Sequence, residues 1–408
     1  MSRTAPAAID RRSPRARGLW AVLVGLAIAS TACTGSPDDP PPRTDAPGAP
    51  MVGVAWEEVR LPTVPGHRIA VRDATWCGDR WLVVGGVLGP PADSRPGAWV
   101  SSDGRRWEAI RFRTSTYWGA RAVLSSVACR GGVPVAVGAM SGGAHGNPRV
   151  ATFRETRQGA WVDVPAPVER YGGPSAVNVG DVAAGPRGWL ISGNRRTGPA
   201  VWTARSPRRF HLVEGEPGLV GGEGAPLAHG AVSDGSRWTV VGGRTGPEVS
   251  DRVPVAWSSA DGRRWRREEV PDTPGYDDLH RAARVGDAVV AIGLRGSGFG
   301  SWLREDGDWR AGGGFGTTET EARRAPGVAS LTTDGTAMLT VVSDGARFHL
   351  WGSPDGVAWA PIELPLDLEA TAEQALAVAS SRSGVLLVAD TGDGSRVWQA
   401  PWPGLGTP

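Results

Sequence analysis

One recurring pattern restricts what this chain can fold into more than any other feature. It reads Trp99-Val-Ser-Ser-Asp103-Gly104-Arg-Arg-Trp107, then Trp257-Ser-Ser-Ala-Asp261-Gly262-Arg-Arg-Trp265, Trp302-Leu-Arg-Glu-Asp306-Gly307-Asp-Trp309 and Trp351-Gly-Ser-Pro-Asp355-Gly356-Val-Ala-Trp359. A degenerate copy, Trp202-Thr-Ala-Arg-Ser206-Pro-Arg-Arg-Phe210, lacks the Asp-Gly pair; another, from Phe153 to Trp161, keeps only its closing Trp and flanking strands. Asp-Gly between two short β-prone runs predicts a tight hairpin, because such a turn needs positive φ. The Trp residues on either side are then expected to meet across the strands, where aromatic pairs stabilise a sheet.

A second run, ending in a small residue or turn, precedes each copy, as in Trp81-Leu-Val-Val-Gly-Gly, Trp238-Thr-Val-Val-Gly-Gly and Val385-Leu-Leu-Val-Ala-Asp. A third apolar run precedes that one, near residues 69–76, 122–129, 177–184, 228–233, 279–285, 328–333 and 375–380. Near-continuous apolar runs suit strands covered on both faces. Four strands per unit, at a period of about fifty residues, predict propeller blades. The chain supplies seven copies of each of the first three strands, the last near Trp398, but only six fourth strands follow them. Val54-Ala-Trp56-Glu-Glu-Val-Arg-Leu-Pro62 reads like the fourth strand that is missing. The expected fold is therefore all-β: a seven-bladed β-propeller of four-stranded antiparallel blades over residues 53–403, closed by the N-terminal strand (53–62) completing the last blade. Closure of this kind leaves no open edge.

Residues 1–32 read as a secretory signal. Arg3, Arg11, Arg12, Arg15 and Arg17 precede the apolar run 19–30, and small residues lead to Cys33. An apolar run of this length is too short for a permanent membrane span. Ser30-Thr31-Ala32-Cys33 resembles the lipobox of bacterial lipoproteins, with Ser30 where that family usually has Leu. The resemblance implies lipidation at Cys33; an ordinary signal peptide cut nearby is the alternative. The Pro-rich, polar stretch 33–52 reads as a disordered tether. The expected location is extracytoplasmic, lipid-anchored to the outer face of the cell membrane.

Composition removes several classes of chemistry. The chain has no lysine, so it can have neither a Schiff-base lysine nor a P-loop lysine. Its formal charge is +2, and removing residues 1–32 leaves it at about −2. A near-neutral chain with interspersed charges gives no electrostatic case for nucleic acid.

Of the eighteen Trp after Cys33, fifteen fall at equivalent positions of the repeat, which reads as blade core rather than a sugar-stacking surface. Trp76, Trp118 and Trp402 are the exceptions. Trp118, in an inter-blade connection, is the candidate exposed aromatic for binding. Cys77 and Cys129 end the first strands of adjacent blades. In an exported domain that suggests a disulfide, with two buried thiols as the alternative.

The Trp-x-Ser-x-Asp-Gly-x-x-Trp unit resembles the Asp-box, or BNR, repeat of sialidase-like propellers, across most of residues 53–402. Asp103 and Gly104 are adjacent where the Asp-box has one residue between them, and Arg106 stands where that family has Ser or Thr. In the family the box pins a hairpin and takes no part in chemistry, so the resemblance implies a fold more than an activity. Sialidases also use three arginines for the substrate carboxylate, a Tyr-Glu nucleophile pair and an aspartic acid/base. The first arginine sits in a Phe-Arg-Ile-Pro motif, and His67-Arg68-Ile69-Ala70 lies in about that place. Arg68 is thus a candidate binding residue. Tyr117, Tyr171 and Tyr276 all fall between blades.

The six histidines, His67, His145, His211, His229, His280 and His349, show no close ligand spacing, so no metal site is expected. Asp272, Asp277 and Asp278, and likewise Asp390 and Asp393, are read as solvated turn acids. No Gly-x-Ser-x-Gly elbow is present. The expected function is that of a membrane-anchored, extracytoplasmic, non-enzymatic binding or scaffolding module: monomeric, without catalytic residues or cofactor, and with an unidentified protein or glycan ligand. Its ligand face would be built by inter-blade and second-to-third-strand loops, notably 87–97, 140–149, 213–228 and 313–327. The alternative is a sialidase-like glycoside hydrolase. It requires Arg68 and two further arginines to converge at the channel mouth beside a Tyr–carboxylate pair.

Overall fold

The computed structural model describes residues 49–405, apart from 91–92, 144–145, 247–250, 320–321 and 323. The signal segment, Cys33 and most of the tether lie outside the described residues. The described chain is a seven-bladed β-propeller, each blade a four-stranded antiparallel sheet. Blade 1 runs outward from the channel through Arg68–Cys77, Arg80–Gly89, Asp93–Ser101 and Glu108–Ala109. The remaining inner strands are Val123–Arg130, Ala176–Gly185, Pro226–Ser233, Asp277–Val285, Gly327–Thr333 and Ala375–Ser380. Among the described residues, no helix is long and apolar enough to cross a membrane.

Blade 7 takes its outer strand from the N-terminal segment. Glu57–Val59 pairs antiparallel with Ser395–Ala400, Glu58 facing Trp398 and Val59 facing Val397. The hairpin of blade 1 secures the seam: Arg105 and Gln399 both hydrogen-bond the Glu57 carboxylate. Upstream, Val52 bridges Ile362 of blade 6 in parallel, and Trp56 Nε1 donates to the Glu363 carbonyl. The segment therefore overlaps two blades.

Each of the seven apolar clusters sits between one pair of neighbouring blades. The cluster joining blades 7 and 1, with Leu386, Val388, Val71 and Trp99, is as dry as the rest, so the ring is continuous. Thirteen of the fifteen repeat tryptophans are buried; Trp56 and Trp351 are half-buried.

The Asp-Gly turns differ from expectation. Only in blade 5 do they make a two-residue hairpin: Glu305 pairs with Asp308, and Asp306 and Gly307 both have positive φ. In blades 1, 4 and 6 the aspartate caps a longer turn. Asp103 Oδ1 accepts the N–H groups of Arg105 and Arg106 at 2.9 and 2.8 Å, and Gly104 N donates to Ser101 Oγ at 2.8 Å. Asp261 and Asp355 repeat this arrangement. The longer turn takes the closing Trp out of register: Trp99 faces Ala109, not Trp107, whose Nε1 donates to the Gly104 carbonyl.

The blade 1 loop is also shorter than expected. Strands run to Gly89 and resume at Asp93, so most of 87–97 is sheet. Residues 313–315 likewise belong to the outer strand of blade 5.

Candidate ligand site at the channel mouth

Six of the seven inner strands contain one extra residue at an equivalent point, where the pairing register slips. Such a bulge frees a residue from the ladder and re-aims its side chain. The freed residue is Arg72 in blade 1, Ser125 in blade 2, His229 in blade 4, His280 in blade 5 and Ala329 in blade 6. Blades 4 and 5 are adjacent, so their two histidines become neighbours.

Asp278 lies with them. His229 Nε2 is 3.2 Å from Asp278 Oδ1, and His280 Nε2 is 3.8 Å from Oδ2. Arg252 Nε stands 3.6 Å from Oδ2, and the Tyr276 hydroxyl donates to the same oxygen at 3.5 Å. Asp278 is 4% exposed, whereas Arg252 and His229 keep an open side. Gly243 makes room for the carboxylate, since a Cβ there would lie 2.4 Å from Asp278 Oδ1. All five side chains sit where the inter-blade and second-to-third-strand connections enter the ring, on the face expected to carry ligand.

The surroundings shift the titration of three of these groups. Burial alone would raise Asp278, but the neighbouring His229 and His280 rings outweigh it and hold the carboxyl below its usual range. Burial, and then Asp278, push the Tyr276 phenol up. Burial also pushes the His280 ring down. His280 Nδ1 accepts the Val328 N–H at 3.2 Å, so the neutral ring carries its proton on Nε2, toward Asp278.

That tautomer bears on metal binding. One ligand-type atom each from His229, Asp278 and His280 lie within 4.8 Å of one another. An imidazole ligating through Nε2 needs its proton on Nδ1, where Val328 N–H already points. The arrangement suits hydrogen bonding to an organic ligand better than coordination. Wide spacing nevertheless does not keep these histidines apart: one repeat apart in sequence means side by side in a propeller. That equivalence was the signal available for finding the pair.

Other sequence candidates fall elsewhere. Arg68 Nη1 contacts Asp390 at 2.5 Å, and Arg72 takes the other carboxylate oxygen. Asp390 is fully buried, so it is not a solvated turn acid. Neither are Asp277 and Asp278. Asp277 is buried and accepts Thr273 N and Oγ1 at 2.7 and 3.0 Å. Burial raises its carboxyl to about 6. Arg68 thus serves blades 1 and 7, while the Tyr–carboxylate contact lies at blade 5. Trp118 is half-buried against the cluster between blades 1 and 2, because its connection folds back onto that seam. The exposed aromatic is its neighbour Tyr117, 64% exposed, with Arg121 4.0 Å above the ring. Cys77 and Cys129 are joined by a disulfide, with 5.3 Å between their Cα atoms.

The channel itself is lined by all seven inner strands. Arg281 reaches Asp181 at 2.7 Å. Asp73 accepts Val127 N and Ala74 N, both at 2.8 Å, and burial raises it to about 7.

The class that these features define is the β-propeller. No family model matches the chain, and no curated protein is similar to it in sequence. Among solved structures it is similar to a protein from Lactobacillus plantarum (12% identity, 80% of this chain and 96% of that one, TM-score 0.49). It is also similar to the β-propeller domain of the Trilobed protease from Pyrococcus furiosus (9%, 82% and 93%, 0.47) and to Trypanosoma rangeli sialidase (11%, 85% and 59%, 0.41). This chain spans about 59% of the sialidase. At these identities the likeness concerns the fold alone.

Proposed function

We propose that the chain is a membrane-anchored, non-enzymatic binding module, lipidated at Cys33, that holds a cell-wall glycan or protein over the channel mouth. The observation that carries this reading is geometric: the Asp278 carboxylate is buried and already faces Arg252, His229 and the Tyr276 hydroxyl within the protein. A carboxylate held well below its usual range is a poor general base, and a phenol pushed up is a poor nucleophile. Together with Arg252 and His229 they present preset donors and acceptors, as recognition requires. The engagement of Arg68 by Asp390 argues against the glycosidase alternative, because it removes the arginine assigned to the substrate carboxylate.

The test is co-sedimentation with purified cell-wall glycan, run beside a fluorogenic sialoside assay. Saturable sedimentation, weakened about tenfold by Arg252→Ala and His229→Ala, is the expected result. Sialoside turnover that Asp278→Asn abolishes would overturn the reading in favour of the hydrolase.

A further inference from the structure

The opposite face, built by first-to-second-strand turns and third-to-fourth-strand hairpins, carries a cleft of about 540 Å³ between blades 2, 3 and 4. Five arginines line it: Arg130, Arg187, Arg205, Arg209 and Arg263. Several arginines elsewhere are matched to acids, as in Arg80–Glu155, Arg195–Glu214 and Arg304–Asp234. None of the five has a carboxylate within 4.0 Å among the described residues. The one acid in the lining, Asp261, spends Oδ1 on the N–H groups of Arg263 and Arg264 in its own turn.

The cause is visible in the degenerate repeat. Blade 3 has Ser206-Pro207 where blades 1, 4 and 6 have a capping aspartate and glycine. The missing carboxylate leaves Arg205 and Arg209 flanking the turn without an acid between them. Trp189 and Trp238 stand at the base, and Trp189 Nε1 is buried without a hydrogen-bond partner. Arg130 lies over the Trp189 ring at 5.7 Å and is held by the Pro186 carbonyl at 2.6 Å. Arg209, Arg170 and Arg263 also push His211 down, after its burial, which reports a positive field at this rim.

We infer that this cleft binds a ligand bearing a multiply charged phosphate group, gripped by the five guanidinium groups against the Trp189 and Trp238 walls. A single carboxylate is matched by one guanidinium fork, whereas a phosphate ester or diphosphate offers more charge and more acceptor oxygens. The cleft lies on the face away from the Asp278 site, so it stands or falls independently of the function proposed there.

Inorganic pyrophosphate is the probe, titrated calorimetrically into the full chain, with citrate and sulfate at matched ionic strength. Saturable pyrophosphate binding that weakens with added salt is expected, with citrate and sulfate about tenfold weaker. Arg205→Ala/Arg209→Ala should lose about tenfold in affinity with an unchanged melting temperature, while Arg310→Ala, on an exposed outer strand, binds as the parent does. The inference is overturned by no saturable binding, by citrate binding as tightly as pyrophosphate, or by a double variant that binds like the parent. Should the double variant melt early, Arg209→Gln and Arg263→Gln are read singly under the same criteria.

Discussion

The ring of His229 stands edge-on to that of His280, 5.2 Å between centres, and the carboxylate of Asp278 faces both. Two consecutive blades thus contribute the same bulge position to one polar cluster. The cluster is a product of repetition: neither strand could assemble it alone.

The tautomer of His280 makes the first prediction. Excess Zn²⁺ should leave the melting temperature unchanged, and EDTA likewise. A zinc-dependent rise lost in His280→Ala would mean that the ring yields its Val328 contact to a metal. Gly243→Ala should lower the melting temperature, because its new methyl would displace a buried carboxylate.

Asp73 supplies a pH signature. Its carboxyl is raised to about 7 in the fold, from an ordinary value near 3.8. The folded state therefore holds a proton that the unfolded state has already released, so this contribution is full below pH ~4 and is lost as pH rises through ~7. Ser126 and Ser330 make the same cross-blade bond to the next inner strand with a hydroxyl. Asp73→Ser should accordingly raise the melting temperature at pH 8 and lose that advantage at pH 4. Equal effects at both would refute the shift. Asp277, raised to about 6, has the same sign; Asp278, held low, has the opposite one and loses its contribution as pH falls through the acid range.

The disulfide should matter to the ring as a whole. It joins inner strands 52 residues apart. By chain entropy such a bridge contributes about 4 kcal/mol. A reductant should lower the melting temperature, and Cys77→Ala/Cys129→Ala should match the reduced parent. Two free thiols in the unfolded, unreduced Cys33→Ala variant would refute the bridge.

Removing residues 50–62 should lower the melting temperature and promote aggregation, since it bares the edge of Ser395–Ala400 and withdraws Trp56 from the seam of blades 6 and 7. An unchanged melt would refute closure. Trp398→Ala tests the same seam from its other side, at a cost of about 3–5 kcal/mol.

The architecture was legible because strand period, Asp-Gly punctuation and Trp spacing all repeat together. The inner strands near 69–76 and 279–285 were placed within a few residues, and the return of the Trp56 segment followed from counting fourth strands. The site was not legible, for a geometric reason. A one-residue bulge leaves no mark in the hydrophobic pattern, yet it decides that His229 and His280 are freed from the ladder. Asp277 and Asp278 look like turn acids until the neighbouring blade covers them. Arg68 was found, but its partner Asp390 comes from the far end of the chain.

The closing contact between Glu57 and Gln399 spans 342 positions. A chain made from its N-terminus delivers the strand Glu57–Val59 first and its partner last. Through that whole interval the strand has no sheet to join, and the last blade lacks an edge until it returns. Long-range pairing is slow and leaves intermediates open to misassembly. The seam that makes the finished ring edgeless is thus also the contact that has to wait for the last blade, and that interval is where the growing ring is most open to misassembly.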